Sequence, residues 1–146
     1  MNKERLLEIA EWLESGAEPK CGVIEFDMST FGSVLKRTPI RRHICGTAAC
    51  IAGTAVMWEH GPSKGMKLIF DTSRTRAEHP GFTEGKKLLD LTHEQATKLF
   101  LAIRRSGAHI YFAHIGPRWA ARCIRKLVET GEVDWDGTEY EQEKAA

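Results

Sequence analysis

The sequence lacks a long apolar run, a marked charge imbalance and a complete catalytic signature. No apolar stretch approaches the roughly 18 residues that a membrane-spanning helix needs, and the N-terminus has no continuous apolar segment typical of an export signal. The 21 basic and 20 acidic residues nearly cancel, which argues against an acidic DNA mimic and against a strongly basic nucleic-acid coat. We therefore expect a cytoplasmic protein without a membrane segment.

The sequence also lacks the spacing of a disulfide framework. Four cysteines are present, namely Cys21, Cys45, Cys50 and Cys123. Without an export signal, reduced thiols are the better interpretation. On one helix, the Cα atoms of Cys45 and Cys50 would be roughly 8 Å apart, which is beyond disulfide reach.

Apolar periodicity predicts a mainly α fold in one compact domain of about five helices. The chain has 146 residues, 42% of them hydrophobic, which is enough to bury a real core. We predict helices over residues 3–15, 47–59, 83–90, 92–105 and 117–130. The second of these is nearly free of charge and rich in alanine and glycine, so we expect it to be the buried central helix.

Two short segments have the pattern of extended chain. Apolar residues alternate over 23–28, and a small apolar patch occupies 66–70, so these two segments are the candidates for a small β element. We place the globular domain at residues 1–135. We predict that residues 136–146 form a polar, acidic C-terminal tail.

Four motifs distributed along most of the chain form a recognisable combination. They are Phe26-Asp27-Met28, Cys45-Gly46-Thr47-x-Ala49-Cys50-x-Ala52-Gly53, Leu91-Thr92-x-Glu94-Gln95-Ala96-x-x-Leu99-Phe100 and Thr130-Gly131-x-Val133-Asp134-Trp135. With them the chain resembles a group of small uncharacterised bacterial and bacteriophage proteins. The resemblance implies a self-contained, phage-associated domain in a bacterial cytoplasm, and it brings no activity with it.

The loop that leads into the predicted central helix is the candidate binding site. A helix N-terminus presents free backbone N–H groups and partial positive charge, and glycine allows a ligand to approach the backbone closely. The predicted ligand-binding residues are Arg41, Arg42, His43, Gly46 and Thr47, joined by His109 or His114. The ligand would be an anionic, nucleotide-like small molecule or an acidic surface of a partner protein, such as a host protein. The glycine spacing and the Lys-Ser/Thr ending of a P-loop are missing.

A thiol enzyme is the competing hypothesis. Cys45 or Cys50 would be the nucleophile, because a helix N-terminus lowers the pKa of a thiol. The candidate bases are His43, His109 and His114, and the sequence does not select among them. For Cys50, we favour the interpretation as a small core residue. His43, Cys45 and Cys50 also supply three soft metal ligands, but structural zinc needs four, usually in a tighter arrangement, so we expect no metal and no cofactor.

A basic stripe on the last long helix raises nucleic-acid binding as a further alternative. Arg118, Arg122 and Arg125 follow helical spacing, with Lys126 beside them. The connector before this helix is too long for a helix-turn-helix motif, so we do not favour this alternative. The aromatic residues Tyr111, Phe112, Trp119 and Trp135 fit either a core or a contact surface. We favour a non-catalytic binding protein over an enzyme.

Overall fold

Helices make up most of the described chain, which comprises residues 1–29, 33–34, 47–69 and 79–139 of a computed structural model. Within these ranges the α-helices are α1 (Lys3–Glu14), α2 (Ile51–Ile69), α3 (Pro80–Leu88), α4 (His93–Phe100), α5 (Pro117–Thr130) and α6 (Trp135–Thr138). The prediction of a mainly helical single domain is confirmed.

The described residues also contain three short strands: β1 (Val23–Phe26), β2 (Ser33–Val34) and β3 (Thr47–Ala49). β3 is central, parallel to β1 and antiparallel to β2. β1 is the strand expected within residues 23–28. The expectation of extended chain over 66–70 is wrong for residues 66–69, which are helical and belong to α2, whereas Phe70 lies outside the described residues.

The first half of α2 is the buried central helix that the sequence predicts. Every residue from Ile51 to Trp58 is buried. The helix begins at Ile51 instead of Thr47, because residues 47–49 pair with both neighbouring strands. At Gly61 (φ 79°, ψ 169°) the helix bends. Pro62, which has no N–H to donate, then opens a second helical segment beyond the predicted helix end at residue 59.

The bounds of α3 and α4 differ from prediction for local reasons. α3 begins at Pro80, three residues early, because the His79 ring caps it by accepting a 2.9 Å hydrogen bond from Gly81 N–H. α4 has the predicted capping box of Thr92 and Gln95. It ends at Phe100 instead of Arg105, because Ala102 adopts a positive φ of 51° and turns the chain.

The core forms where α1 packs against α5 and α2 packs against α3. α5 begins at Pro117 and ends before Gly131 (φ 78°), as predicted. Trp119 and Trp135 are core residues, with ring centroids 5.7 Å apart. α6 runs across residue 135, where we placed the end of the globular domain, and its Asp136 pairs with Arg104 at 2.8 Å.

Candidate functional site

The loop that the sequence singles out lies mostly outside the described residues. Arg41, Arg42, His43, Cys45 and Gly46 are not among them. The binding role of the arginines, of His43 and of Gly46 therefore stays a prediction, as does the nucleophilic role of Cys45.

Thr47, the last residue of that loop, starts β3. Its backbone pairs with Val23 on one side and with Val34 on the other, so the expectation that the central helix begins at Thr47 is wrong. A strand advances about 3.3 Å per residue, which places Cys50 about 10 Å from Thr47. The free N–H groups of the first turn of α2 therefore lie at the Cys50 end of β3, away from Thr47.

Cys50 occupies the junction between β3 and α2, where its side chain has no exposed surface. Its carbonyl oxygen accepts the first hydrogen bond of the helix, from Thr54 N–H at 2.8 Å. Cys123 is also fully buried, and burial raises the pKa of its thiol to about 12. Reactive thiols need access and a stabilised thiolate. Among the described cysteines only Cys21 is exposed.

Two of the candidate bases, His109 and His114, have exposed side chains, whereas His43 lies outside the described residues. The His114 ring packs edge-on against the Tyr111 ring, with centroids 5.1 Å apart. His109 Nδ1 lies 3.2 Å from the carbonyl oxygen of Leu101. These contacts hold both imidazoles in a surface turn, and neither contact involves a thiol.

Metal and membrane sites were sought within the same described ranges. Residues 1–29, 33–34, 47–69 and 79–139 contain no group of three or more His, Cys, Asp or Glu side chains placed to hold a metal ion. None of the helices in this part of the chain has the length and apolar character that crossing a membrane requires.

The basic stripe on α5 is partly used for internal contacts. Arg125 binds both carboxylate oxygens of Glu14, at 2.5 and 2.8 Å, which ties α5 to α1 and lowers the pKa of that carboxyl. Arg122 Nε donates to the carbonyl oxygen of Thr138 at 2.7 Å. Arg118 and Lys126 keep exposed side chains. The stripe therefore offers a nucleic acid fewer cations than its sequence suggests.

The segment 109–114, which we call the aromatic turn, contains Tyr111, the most exposed large hydrophobic side chain of the described residues. Tyr111 is 70% exposed, whereas Ile110 and Ile115 on either side are 5% exposed and anchor the turn in the core. Ile110 N–H donates to the Ala102 carbonyl, and His114 N–H donates to the Tyr111 carbonyl, both at 2.9 Å. The turn thus holds a large aromatic side chain in water with its backbone fixed.

The aromatic turn has the properties of a contact surface. Tyrosine is enriched at protein interfaces because it combines a large apolar area with a hydroxyl and few rotatable bonds. A fixed backbone lowers the entropy lost on binding. The sequence indicated that Tyr111 belongs to a core or to a contact surface, and the structure places it outside the core. No local periodicity distinguishes Tyr111 from Phe112, which is half-buried.

A groove of about 540 Å³ runs between α4 and the chain that connects α5 to α6. Four of its five charged side chains pair with one another, Lys98 with Glu94 at 2.7 Å and Arg105 with Asp134 at 2.5 Å, and the fifth is Glu132. The Gln95 amide is used as well, donating to the Gly131 carbonyl at 2.8 Å. Polar groups that are already satisfied gain little from a ligand, so this groove is a weaker candidate than the aromatic turn.

Comparison of the chain with protein-family models, with curated proteins and with solved structures found no match.

Proposed function

We propose that this chain is a non-catalytic binding protein, that its ligand is a partner protein, and that the contact centres on Tyr111. The single observation that supports this most is the 70% exposure of a tyrosine whose neighbours Ile110 and Ile115 are buried. Tyrosine is one of the residue types that are enriched among interface hot spots. The resemblance to phage proteins makes a host protein in the bacterial cytoplasm the proposed partner.

A protein partner suits the shape of the aromatic turn better than a small molecule does. Small ligands bind in concave pockets that cover most of their surface, whereas Tyr111 and His114 lie on an exposed turn. The loop containing Arg41 and Arg42 stays a separate prediction for an anionic, nucleotide-like ligand.

The thiol-enzyme alternative finds little support among the described residues. Cys50 is buried, and the ring contact of His114 is with Tyr111. A nucleophile must be reached by its substrate and must be close to its base. We propose no cofactor and no metal.

Peptide display provides the test. A library of random peptides is panned against the native protein, and the selected peptides are then measured against Tyr111→Ala and Tyr111→Phe. We expect the alanine variant to lose at least about tenfold in affinity and the phenylalanine variant to keep most of it, because the ring provides the buried area.

The matched control is Leu7→Ala, which removes the other exposed large apolar side chain of the described residues, on α1. It should leave the affinity unchanged. Circular dichroism and urea unfolding establish that each variant is folded. If no peptide is enriched, or if the selected peptides bind Tyr111→Ala as well as the native protein, the proposal fails.

A further inference from the structure

Trp58 differs from the other three tryptophans of the chain in its hydrogen bonding. The other three indole N–H groups each donate to a backbone carbonyl, Trp12 to Glu18 at 2.6 Å, Trp119 to Trp135 at 3.0 Å and Trp135 to Lys98 at 2.9 Å. The Trp58 N–H is buried and has no hydrogen-bond partner among the described residues. A buried donor without an acceptor costs about 1–3 kcal/mol. An acceptor from outside the chain would therefore relieve a cost that the other tryptophans do not have.

Two side chains border the Trp58 ring, and neither provides an acceptor atom. Trp12 meets the ring edge-on, with centroids 5.3 Å apart, and the Lys20 ammonium lies 4.3 Å from the ring centre. Both the indole nitrogen and the ammonium group are donors only. The immediate surroundings of Trp58 thus contain an unpaired N–H donor and a positive charge, which together favour a carboxylate.

The two side chains that border Trp58 also line a surface cleft of about 250 Å³, which we call the tryptophan cleft. Its lining residues are Glu8, Glu11, Trp12, Ser15 and Lys20. Pockets for drug-sized ligands measure roughly 300–1,000 Å³, so a ligand of the tryptophan cleft has to be small.

The tryptophan cleft keeps one charge of each sign available to a ligand. Glu8 is paired with Arg5 at 3.1 Å, and the Ser15 hydroxyl donates to the Trp12 carbonyl at 2.9 Å. Glu11 and Lys20 have exposed side chains, and within the described part of the chain neither forms a salt bridge. A ligand that carries both a carboxylate and an ammonium group would complement these two residues.

We infer that the tryptophan cleft binds a small zwitterion of the amino-acid class. The ligand carboxylate accepts a hydrogen bond from the Trp58 N–H and pairs with the Lys20 ammonium, and the ligand ammonium pairs with the Glu11 carboxylate. Because the Trp58 N–H is covered in the free protein, the flexible, exposed Lys20 side chain turns aside to admit the carboxylate. This inference adds a small-molecule site to the proposed function and does not rest on it.

A zwitterion fits the tryptophan cleft better than an ion of one sign does. A simple anion would satisfy the Trp58 N–H, but the carboxylates of Glu8 and Glu11 would repel it. A simple cation would compete with Lys20 for the ring of Trp58 and would leave the N–H without an acceptor. The two groups of an amino acid avoid both costs.

Nuclear magnetic resonance of the indole N–H groups provides the test. The native protein is titrated to millimolar concentration with each of the common free L-amino acids. We expect at least one of them to shift the Trp58 indole resonance, because that N–H gains an acceptor. The resonances of Trp119 and Trp135 should stay in place, since their N–H groups are already bonded to backbone carbonyls.

Derivatives of the amino acid that binds show which of its groups are recognised. Its methyl ester, which lacks the carboxylate charge, and its N-acetyl form, which lacks the ammonium, should each bind at least about tenfold more weakly. Lys20→Met and Glu11→Gln should each weaken binding of the unmodified amino acid by about three- to tenfold.

The matched controls are Lys64→Met on α2 and Glu4→Gln on α1, which change exposed side chains outside the tryptophan cleft. Each should change the affinity less than about twofold. The inference fails if no amino acid shifts the Trp58 resonance, if the methyl ester binds as tightly as the free amino acid, or if neither Lys20→Met nor Glu11→Gln weakens binding. None of these results affects the proposed contact at Tyr111, which the peptides test separately.

Discussion

The junction between β3 and α2 and the aromatic turn contrast in both composition and exposure. The junction contains residue types that are common in catalytic and binding sites, namely Cys50, Gly53 and Thr54, and all three are buried. The turn consists of ordinary connector residues, and yet Tyr111 is 70% exposed. Reactive residue types therefore indicate a catalytic or binding site only when the fold leaves their side chains accessible.

The small residues of the junction serve packing. A Cβ atom built on Gly85 of α3 would lie 2.8 Å from the Cβ of Ala52, so the two helices meet at van der Waals distance with no room for larger side chains. Our sequence-based interpretation that the segment from Cys50 to Gly53 serves packing is consistent with its complete burial.

The largest effect is expected in thiol reactivity, which measures accessibility at the junction directly. With iodoacetamide at neutral pH, Cys21 should be alkylated at least about 100-fold faster than Cys50 or Cys123, because a buried thiol reacts only after the structure opens. Mass spectrometry of the digested protein resolves each site. In urea the three rates should become similar. Rapid alkylation of Cys50 in the folded protein would contradict its burial and restore the thiol-enzyme hypothesis.

The next effect is on stability, and it compares one residue from each region. Ile51→Ala, at the fully buried start of α2, should lower the free energy of unfolding by about 2–5 kcal/mol. Tyr111→Ala should change it by less than about 0.5 kcal/mol, since an exposed side chain loses little packing. Urea unfolding measures both. A loss of similar size for the two variants would mean that the aromatic turn is structural and would weaken the proposed function.

A smaller effect on the free energy of unfolding is expected at Asp136, which binds the segment that leads into the aromatic turn. Asp136 accepts hydrogen bonds at 2.8 Å from the backbone N–H of Arg105 and from the Arg104 guanidinium. These contacts, the backbone N–H first, hold the pKa of Asp136 below its usual value. Asp136→Asn should therefore lower the free energy of unfolding by about 1–2 kcal/mol at neutral pH.

The pH dependence of this effect has a defined sign. Because the folded protein lowers the pKa of Asp136, the stabilisation is present above the ordinary carboxyl pKa of about 4 and is lost as the pH falls below it. Urea unfolding at about pH 7 and at about pH 3 should show the difference between the native protein and Asp136→Asn shrinking in acid. Glu132→Gln, which alters an exposed carboxylate nearby, is the control and should have little effect at either pH.

The smallest effect is expected at Thr54, and it tests whether the hydroxyl of this residue takes part in a polar interaction at the junction. Among the described residues, the buried Thr54 hydroxyl has no hydrogen-bond partner. Thr54→Val should raise the free energy of unfolding by about 1 kcal/mol, because it removes an unsatisfied polar atom at almost constant volume. Thr54→Ser, which keeps the hydroxyl and removes a methyl group, should lower it by about 1 kcal/mol. If valine destabilises the protein instead, the hydroxyl has a partner and the junction regains interest as a binding site.

The helices were predictable wherever local signals agree with packing. The Asn2 cap of α1, the Thr92 capping box of α4 and the Pro117 start of α5 are local features, and the structure has all three. The start of α2 was not predictable in this way. Thr47 and Ala49 follow the pattern of a helix start, but their backbone pairs with strands that are distant in the sequence.

The candidate site was harder to predict than the fold. The sequence directed attention to residues 41–47, since glycine, arginine and cysteine are the types that bind and react. It gave Tyr111 and Phe112 equal weight, although one is exposed and the other half-buried. Which of two adjacent aromatic residues faces water depends on the anchoring of Ile110 and Ile115, and that depends on the whole core.

Interactions within a few residues are enough to specify the helical class, the low charge and close packing of the central helix, and the caps that begin and end several helices. The inaccessibility of Cys50, the binding of Arg125 to Glu14 and the exposure of Tyr111 to solvent follow from the tertiary structure. Burial and ion pairing depend on chain segments far apart in sequence, and no local pattern encodes those contacts.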